Sequence, residues 1–473
     1  MKASILFFRM AVSVLTPLFF STPLLAQSPA PAPVPAPTPS PTVAAPSAAQ
    51  RNVVFIILDD FGKDMATFYK TSQGRLLTTP PPPPMPNLKA LVKKGVLFSN
   101  FTAQQECSPT RATLFTGLYG FRKNNGIGRW IQPGSPEIQL STFSLPEAFR
   151  AGGLNHYTAN IGKWHLTLPE SPGAATAPND HGWEYFKGPS ASGAVPTYFQ
   201  YKILEQGKYQ NSTVYLTTQE INDAIDVVNR AKAQSRPYFL WLALNAPHEP
   251  YQKPPNELHS YDALPDTGAS ERSYYEAMIE AADTEIGRFL KSVDLTTTTV
   301  IVLGDNGTPG AVTVPPYNRA HGKSTQYQGG IDVPLLIAGA GVESPGRLVH
   351  GLASSVDLYP TALELAGINV ASVLPADYKI DGVSLVPFLK ATPRFVRQYS
   401  YSDKFQLNWE DEATRSIRNI KYKYMKIGTQ EFFFDLELDP LEKRNKISST
   451  LTDPEKAALN ALKTEMAALL ASR

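Results

Sequence analysis

The sequence has a single cysteine, Cys107, in 473 residues. One thiol cannot form an intramolecular disulfide framework, and it excludes any cysteine-rich zinc or iron–sulfur site. Charge is also scarce. Charged residues make up 18% of the chain, and Lys+Arg 44 against Asp+Glu 42 leaves a net charge of +2. There is no dense Lys/Arg run, so the chain offers no electrostatic footprint for nucleic acid. After residue 26 no stretch of 18 continuous apolar residues occurs, which leaves no candidate membrane span in that part. Apolar residues, at 42% with 10% aromatic, suffice for a sizeable core. Proline is abundant at 42, but the excess is local, concentrated before residue 51 and in Thr78–Pro86.

That amino-terminal excess has its own organisation. Lys2 and Arg9 precede an apolar stretch, Ala11–Ala26, which reads as a secretory signal peptide over residues 1–26. An uncleaved anchor is the alternative. Residues 27–50 are Pro/Ala-rich, with proline at every second position from Pro29 to Pro41, and predict an extended polyproline spacer. The protein is accordingly expected to be exported, periplasmic or secreted.

From Arg51 the texture is globular. Val53–Leu58, Tyr238–Ala243, Val300–Leu303 and Pro334–Ala338 are short apolar runs of the kind found in buried parallel strands. Helical periods alternate with them: Leu88, Leu91 and Val92 share one face, as do Tyr275, Met278, Ile279, Ala282, Ile286 and Phe289. The pattern predicts an α/β fold, a mainly parallel central sheet sandwiched by helices, over residues 51–390. Residues 391–473 read as a smaller antiparallel sheet, with segments at Asn419–Ile427 and Glu431–Leu436, plus a helix over Pro454–Leu470 capped by Thr452 or Asp453.

Two strands end in oxygen-rich residues, Asp59-Asp60 and Asp305-Asn306-Gly307. Ligands in open α/β sheets sit just past the carboxyl ends of strands. Adjacent carboxylates repel unless a cation or proton resolves them, so Asp59, Asp60, Asp305 and Asn306 together suggest a hard divalent metal. Each pair alone is also a common turn or cap. Cys107 opens Cys107-Ser108-Pro109-Thr110-Arg111 ahead of a helical stretch, Ala112–Tyr119. Pro109 suits a first helical turn, so Cys107 is expected at a helix N-terminus, where an anion is favoured, with Arg111 adding a fork of donors. A lone cysteine is more often a small buried hydrophobe, but the polar neighbours Glu106 and Ser108 argue against that.

The pentapeptide Cys107–Arg111, with Thr116-Gly117 downstream, resembles the Cys-x-Pro-x-Arg signature of type I sulfatases, within the alkaline phosphatase-like superfamily. The resemblance runs from Asn52 to about Ile447. It includes Asn52–Asp60, Gly162-Lys163-Trp164-His165, Ala246-Pro247-His248-Glu249-Pro250 and Asp305-Asn306-Gly307. It continues through Lys323 with Gly329–Pro334, and Phe434-Asp435-Leu436 with Asp439-Pro440 and Asn445. Six such segments in one order make it specific. Departures are Glu106 before the cysteine, Gln328 before Gly-Gly, Thr167 after Leu166, a longer stretch before Gly162, and the Pro-rich insertion Thr78–Pro86, which bear on the substrate and the rim of the site.

The resemblance implies hydrolysis of a sulfate monoester on a sulfated small molecule or saccharide. A maturation enzyme would oxidise Cys107 to formylglycine (3-oxoalanine), whose hydrated aldehyde is the nucleophile. It implies that the metal, with Ca2+ as first candidate, is held by Asp59, Asp60, Asp305, Asn306 and the Cys107-derived group. Lys163, Lys323 and Arg111 would supply positive charge, His248 with Lys323 would protonate the leaving alcohol, and His165 would take a hydroxyl proton. A thiolate would trap the sulfuryl group as a stable adduct; a geminal diol attacks through one hydroxyl and expels sulfate with the other. His156, His181, His259 and His350 are read as structural, and His321, near Lys323, as a candidate pocket residue. Two other readings stay open: a phosphonate monoester or phosphodiester hydrolase with the same nucleophile, and a non-catalytic exported binding protein with a free thiol. Asn100, Asn211 and Asn306 each begin a glycosylation pattern, and a metal-bound Asn306 could carry no glycan.

Overall fold

A computed structural model of the protein describes residues 51–71, 74–189, 195–405 and 413–472. The segments read as signal peptide and linker lie outside the described residues. From Ala48 to Arg473 the chain makes one unit.

Its centre is a ten-stranded sheet. The strands are β1 (Asn52–Leu58), β2 (Gly95–Thr102), β3 (Tyr157–Gly162), β4 (Tyr185–Pro189), β5 (Tyr201–Glu205), β6 (Lys208–Ser212), β7 (Tyr238–Leu244), β8 (Thr298–Gly304), β9 (Leu335–Gly339) and β10 (Arg347–Ser354). They lie in the order β10-β2-β9-β8-β1-β7-β3-β4-β5-β6. The middle strands β8-β1-β7-β3-β4 run parallel to one another. β9 is antiparallel to both β8 and β2, and β5 to both β4 and β6, so only these two oppose the common direction.

β1 shows why these runs are strands. Val53, Phe55 and Ile57 join one apolar cluster, and Val54, Ile56 and Leu58 join another on the opposite face. A strand buried on both sides must be apolar throughout, and β-branched residues fit its pleat. Helices Leu216–Ala233 and Glu271–Leu290 cover one face; Cys107–Thr116, Leu145–Ala151 and Leu358–Leu365 cover the other. The expected stripe Tyr275, Met278, Ile279, Ala282, Ile286 and Phe289 is the buried face of its helix. One expectation is corrected: Pro334–Ala338, read with the parallel strands, forms antiparallel β9. A run buried on both faces carries no polar alternation, so its sequence is silent on direction.

The second, four-stranded antiparallel sheet is β11 (Ser400–Lys404), β12 (Thr414–Arg418), β13 (Tyr422–Ile427) and β14 (Gln430–Asp435). Asn419 lies before β13 rather than in it, because its Oδ1 accepts from the backbone N–H of Lys421 and Tyr422 in a turn. The last helix spans Asp453–Ala471 and is capped by Thr452 and Glu455, whose side chains reciprocally bond each other's backbone N–H. It buries Leu459, Leu462 and Met466 against Tyr401, Ile417, Tyr424 and Phe433. Tyr119 and Val356 join that cluster, fastening the small sheet to the helices of the large one. No helix among the described residues is long and apolar enough to cross a membrane.

Candidate active site

Four adjacent parallel strands deliver their following residues to one place. β8 leads into Asp305 and Asn306, β1 into Asp59 and Asp60, β7 into the turn carrying His248, and β3 into Lys163 and His165. The turns are tight. Gly162 has φ +90°, and a Cβ there would stand 2.1 Å from the carbonyl oxygen of Ala243, so only glycine lets β3 bend and present Lys163. Asp60 and His165 hold φ of 65° and 55°, in the left-handed region that side-chain-bearing residues adopt uncommonly.

The oxygen-rich residues are interlocked. The Asp60 backbone N–H donates to Asp305 Oδ1 at 3.1 Å, and Asn306 Nδ2 donates to Asp60 Oδ1 at 2.8 Å. Lys163 Nζ pairs with Asp59 Oδ2. Lys323 Nζ lies 2.5 Å from Asp60 Oδ1, and His248 Nε2 lies 3.8 Å from Asp60 Oδ2. Arg111 donates from Nε (3.2 Å) and Nη2 (2.8 Å) to Asp305 Oδ2, and from Nη1 to the Lys163 carbonyl (2.9 Å). Two acceptors remain buried without a partner: Asp59 Oδ1 and Asn306 Oδ1. Such atoms are costly unless something satisfies them. Ligand atoms of Asp59, Cys107 and Asp305 lie within 4.8 Å of one another, and so do those of Asp59, Asp60 and His248. The oxygen donors Asp59, Asp60, Asp305 and Asn306, two of them with an orphaned acceptor, fit a hard divalent cation.

The electrostatics agree with this arrangement. Burial pushes Asp59 up, but Lys163, His248, Arg111 and Lys323 outweigh it and hold the carboxyl below its usual range. Burial and the neighbouring Asp59 raise Asp305. Two carboxylates in one dry site therefore titrate apart in the absence of a cation. Burial lowers His165 and His248, and Lys163 lowers both further. Burial pushes the Cys107 thiol up to about 11.

Cys107 begins the helix Cys107–Thr116, as expected from Pro109, and all ten of its residues are buried. Its Sγ lies 3.2 Å from His165 Nδ1. Glu106, unusual beside such a cysteine, is buried with both oxygens engaged: Oε2 accepts from the Trp130 N–H at 2.7 Å, and Oε1 pairs with Lys404 at 2.7 Å. Ser108 Oγ accepts from the Ile131 N–H at 3.1 Å. Gln328 has a comparable explanation. Its Oε1 accepts from Lys423 at 3.3 Å, and the carboxylate facing that buried lysine is Glu442, 2.7 Å away.

All of Asp59, Asp60, Cys107, Arg111, Lys163, His165, His248, Asp305, Asn306 and Lys323 thus converge. The four histidines read as structural lie elsewhere: His156, His181 and His259 bond backbone carbonyls, and His350 faces Ser99. His321 stacks on Tyr327, ring centroids 3.5 Å apart, and Tyr327 lines a cavity together with Ser324, the residue after Lys323. That cavity's described lining includes none of Thr78–Pro86, the insertion read as a rim element. Sequence reasoning missed three supporting residues. The Tyr198 hydroxyl lies 2.9 and 2.7 Å from the carbonyls of Asn245 and His248, Glu220 accepts from the Asn245 N–H, and the Tyr275 hydroxyl donates to the Asp60 carbonyl at 2.6 Å. Tyr275 was legible only as one member of an apolar stripe.

Comparison with known proteins agrees with this architecture. The Sulfatase family model matches residues 51–368. The chain is 32% identical over 330 residues to the uncharacterized sulfatase YdeN of Escherichia coli K12, covering 64% of this chain and 57% of that protein. It is 29% identical over 377 residues to human N-acetylgalactosamine-6-sulfatase, covering 72% of this chain and 65% of the relative. The match thus spans less than two thirds of either relative's length. Among solved structures, Ps i-CgsB has the same fold, with a TM-score of 0.74 at 23% identity over 89% of this chain and 93% of that one. The chain belongs to the sulfatase family and has its alkaline phosphatase-like fold.

Proposed function

We propose that the protein hydrolyses a sulfate monoester, using Cys107 oxidised to formylglycine as the nucleophile and a divalent cation, Ca2+ first among candidates. The observation that carries this reading is the convergence of three acidic side chains, two orphaned buried oxygens and three cationic side chains on the one cysteine. Asp59, Asp60, Asp305 and Asn306, with the Cys107-derived group, are the residues that would hold the cation. A bound cation supplies Lewis-acid polarisation of a sulfuryl oxygen. The hydrated aldehyde supplies a nucleophilic oxygen and a second hydroxyl for sulfate release.

The chain's own groups do the rest. Arg111, Lys163 and Lys323 offset the negative charge of the sulfuryl group in a largely buried site. His248 Nδ1 lies 2.8 Å from the Glu249 carbonyl and keeps its proton in either charge state, so the imidazolium form gives its Nε2 proton to the departing alcohol oxygen and is left neutral. His165, whose Nδ1 faces the Cys107 side chain, takes the proton of the second hydroxyl. The amino-terminal segment 1–26 supports export to a periplasmic or extracellular site, and the division at residue 390 is retained as the boundary of the catalytic region. A formylglycine-generating enzyme is the implied maturation partner, and the substrate is a sulfated small molecule or saccharide.

The test is a peptide mass of the Cys107 segment from active protein, with rates on matched aryl sulfate and aryl phosphonate esters. Loss of sulfur with gain of an aldehyde, and faster sulfate turnover, is expected. An intact thiol in active protein refutes the mechanism, and faster phosphonate turnover refutes the substrate class.

A further inference from the structure

A cavity of about 370 Å3 has walls that include Arg129, Ser324, Tyr327, Lys404, Phe405 and Thr414, and Lys404 pairs with Glu106, the residue before Cys107. Two hydrogen bonds tie its surroundings to Gln105, two residues before Cys107. The Ser324 N–H donates to the Gln105 carbonyl at 2.8 Å, and Gln105 Nε2 donates to the Gly128 carbonyl at 3.1 Å. The next residue on each side is part of the site or of the wall: Lys323 precedes Ser324, and Arg129 follows Gly128.

The described lining of this cavity carries two cationic side chains, Arg129 and Lys404. No acidic side chain is among its described lining residues. Lys404 is engaged by Glu106 and by the Ser324 carbonyl. Among the described residues the buried Nε of half-buried Arg129 has no hydrogen-bond partner. A buried guanidinium N–H without an acceptor is unfavourable, and the planar fork of arginine matches an oxyanion. The lining also has aromatic side chains fixed in place. Phe405 sits so close to Gly128 that a Cβ there would approach its ring to 2.4 Å, and Tyr327 is stacked under His321. Aromatic faces beside a few fixed polar groups form the surroundings of a ligand site.

We infer that this cavity is a second anion site of the substrate, in which Arg129 binds a carboxylate or a further sulfate carried on the saccharide whose sulfate ester is cleaved next door. The inference rests on the sulfatase reading above and adds the substrate's second charge and the residue that selects it. Arg129 is a specificity residue here, away from the reacting atoms.

Three matched sulfated disaccharides test it: one with a neutral neighbouring ring, one with a uronate and one with a second sulfate, with an aryl sulfate as reference. The wild-type protein is expected to favour at least one doubly charged disaccharide over the neutral one by about tenfold or more in kcat/KM, as a charge-assisted hydrogen bond allows. The uronate and disulfated arms show which oxyanion is taken. Arg129→Gln should erase the preference and Arg129→Lys should keep part of it; a ratio of substrates within one preparation cancels any loss of folded protein. Equal rates on all three, or a preference that survives Arg129→Gln, overturns the second anion site while aryl sulfate turnover stands. No turnover of any sulfate ester, the aryl one included, overturns the underlying reading and this inference with it.

Discussion

Asn306 and Asp60, 246 residues apart in the chain, share a 2.8 Å hydrogen bond in which the Asn306 amide donates and its own oxygen is left buried without a partner. An amide arranged this way presents an acceptor to whatever lies between the strands. A chelator should therefore remove activity and lower the melting temperature, and added Ca2+ should restore both. A cation present at 100 times its dissociation constant contributes roughly 2.7 kcal/mol of stability by mass action. Calorimetry with and without chelator checks this; unchanged activity and melting temperature would remove the cation from the site.

The same burial separates the three glycosylation patterns. Asn306 is wholly enclosed, the Asn100 amide bonds Ser99 and the His350 carbonyl, and Asn211 lies exposed on β6. Expressed in a glycosylating host, the protein should carry a glycan at Asn211 and none at Asn306. A glycopeptide mapped to Asn306 would contradict the site geometry.

Cys107→Ala should abolish turnover and cost only about 1 kcal/mol of stability, since it removes one small buried atom from a polar surrounding. Denaturant melts alongside activity assays separate the two effects. A loss of several kcal/mol would mark Cys107 as a packing residue.

The Tyr198 hydroxyl spans the two ends of the His248 turn. Tyr198→Phe should lower kcat by roughly fivefold, the equivalent of one neutral hydrogen bond of about 1 kcal/mol, with little change in KM. Because the effect passes through His248, the limb of the pH–rate profile governed by the leaving-group acid should shift as well. An unchanged profile would leave Tyr198 with a packing role only.

His156 gives a pH prediction away from the site. Burial lowers its pKa to about 4, and its Nδ1 is enclosed without a partner. The unfolded chain binds a proton below about 6.5 while the folded protein resists it down to about 4, so stability falls as pH drops through that window. The loss is complete near pH 4 and amounts to about 3 kcal/mol. His156→Gln should flatten the stability curve between these values in equilibrium melts, and an equal slope in both proteins would refute the assignment.

How much of this was legible in the sequence depended on where each signal resides. Asp59, Asp60, Asp305 and Asn306 could be placed because each pair directly follows an apolar run, and the end of a run marks the end of a strand. Cys107 could be placed at a helix start because Pro109 tolerates no later position. The direction of β9 could not be read, because burial on both faces erases the alternation that would orient it. Glu220, Tyr198 and the Glu106–Lys404 pair are tertiary relationships, joining residues up to 298 positions apart, and no local pattern encodes them.

Every residue from Cys107 to Thr116 is enclosed, with the helix end pinned through Glu106 to a strand that is made some 300 residues later. If Cys107 is oxidised as proposed, an enzyme that must grasp this segment would find it only on a chain that has not yet closed. Maturation would then be a race against folding, and the active fraction in a preparation would reflect which process was faster, a property set by expression rate and temperature and not by the finished protein's stability.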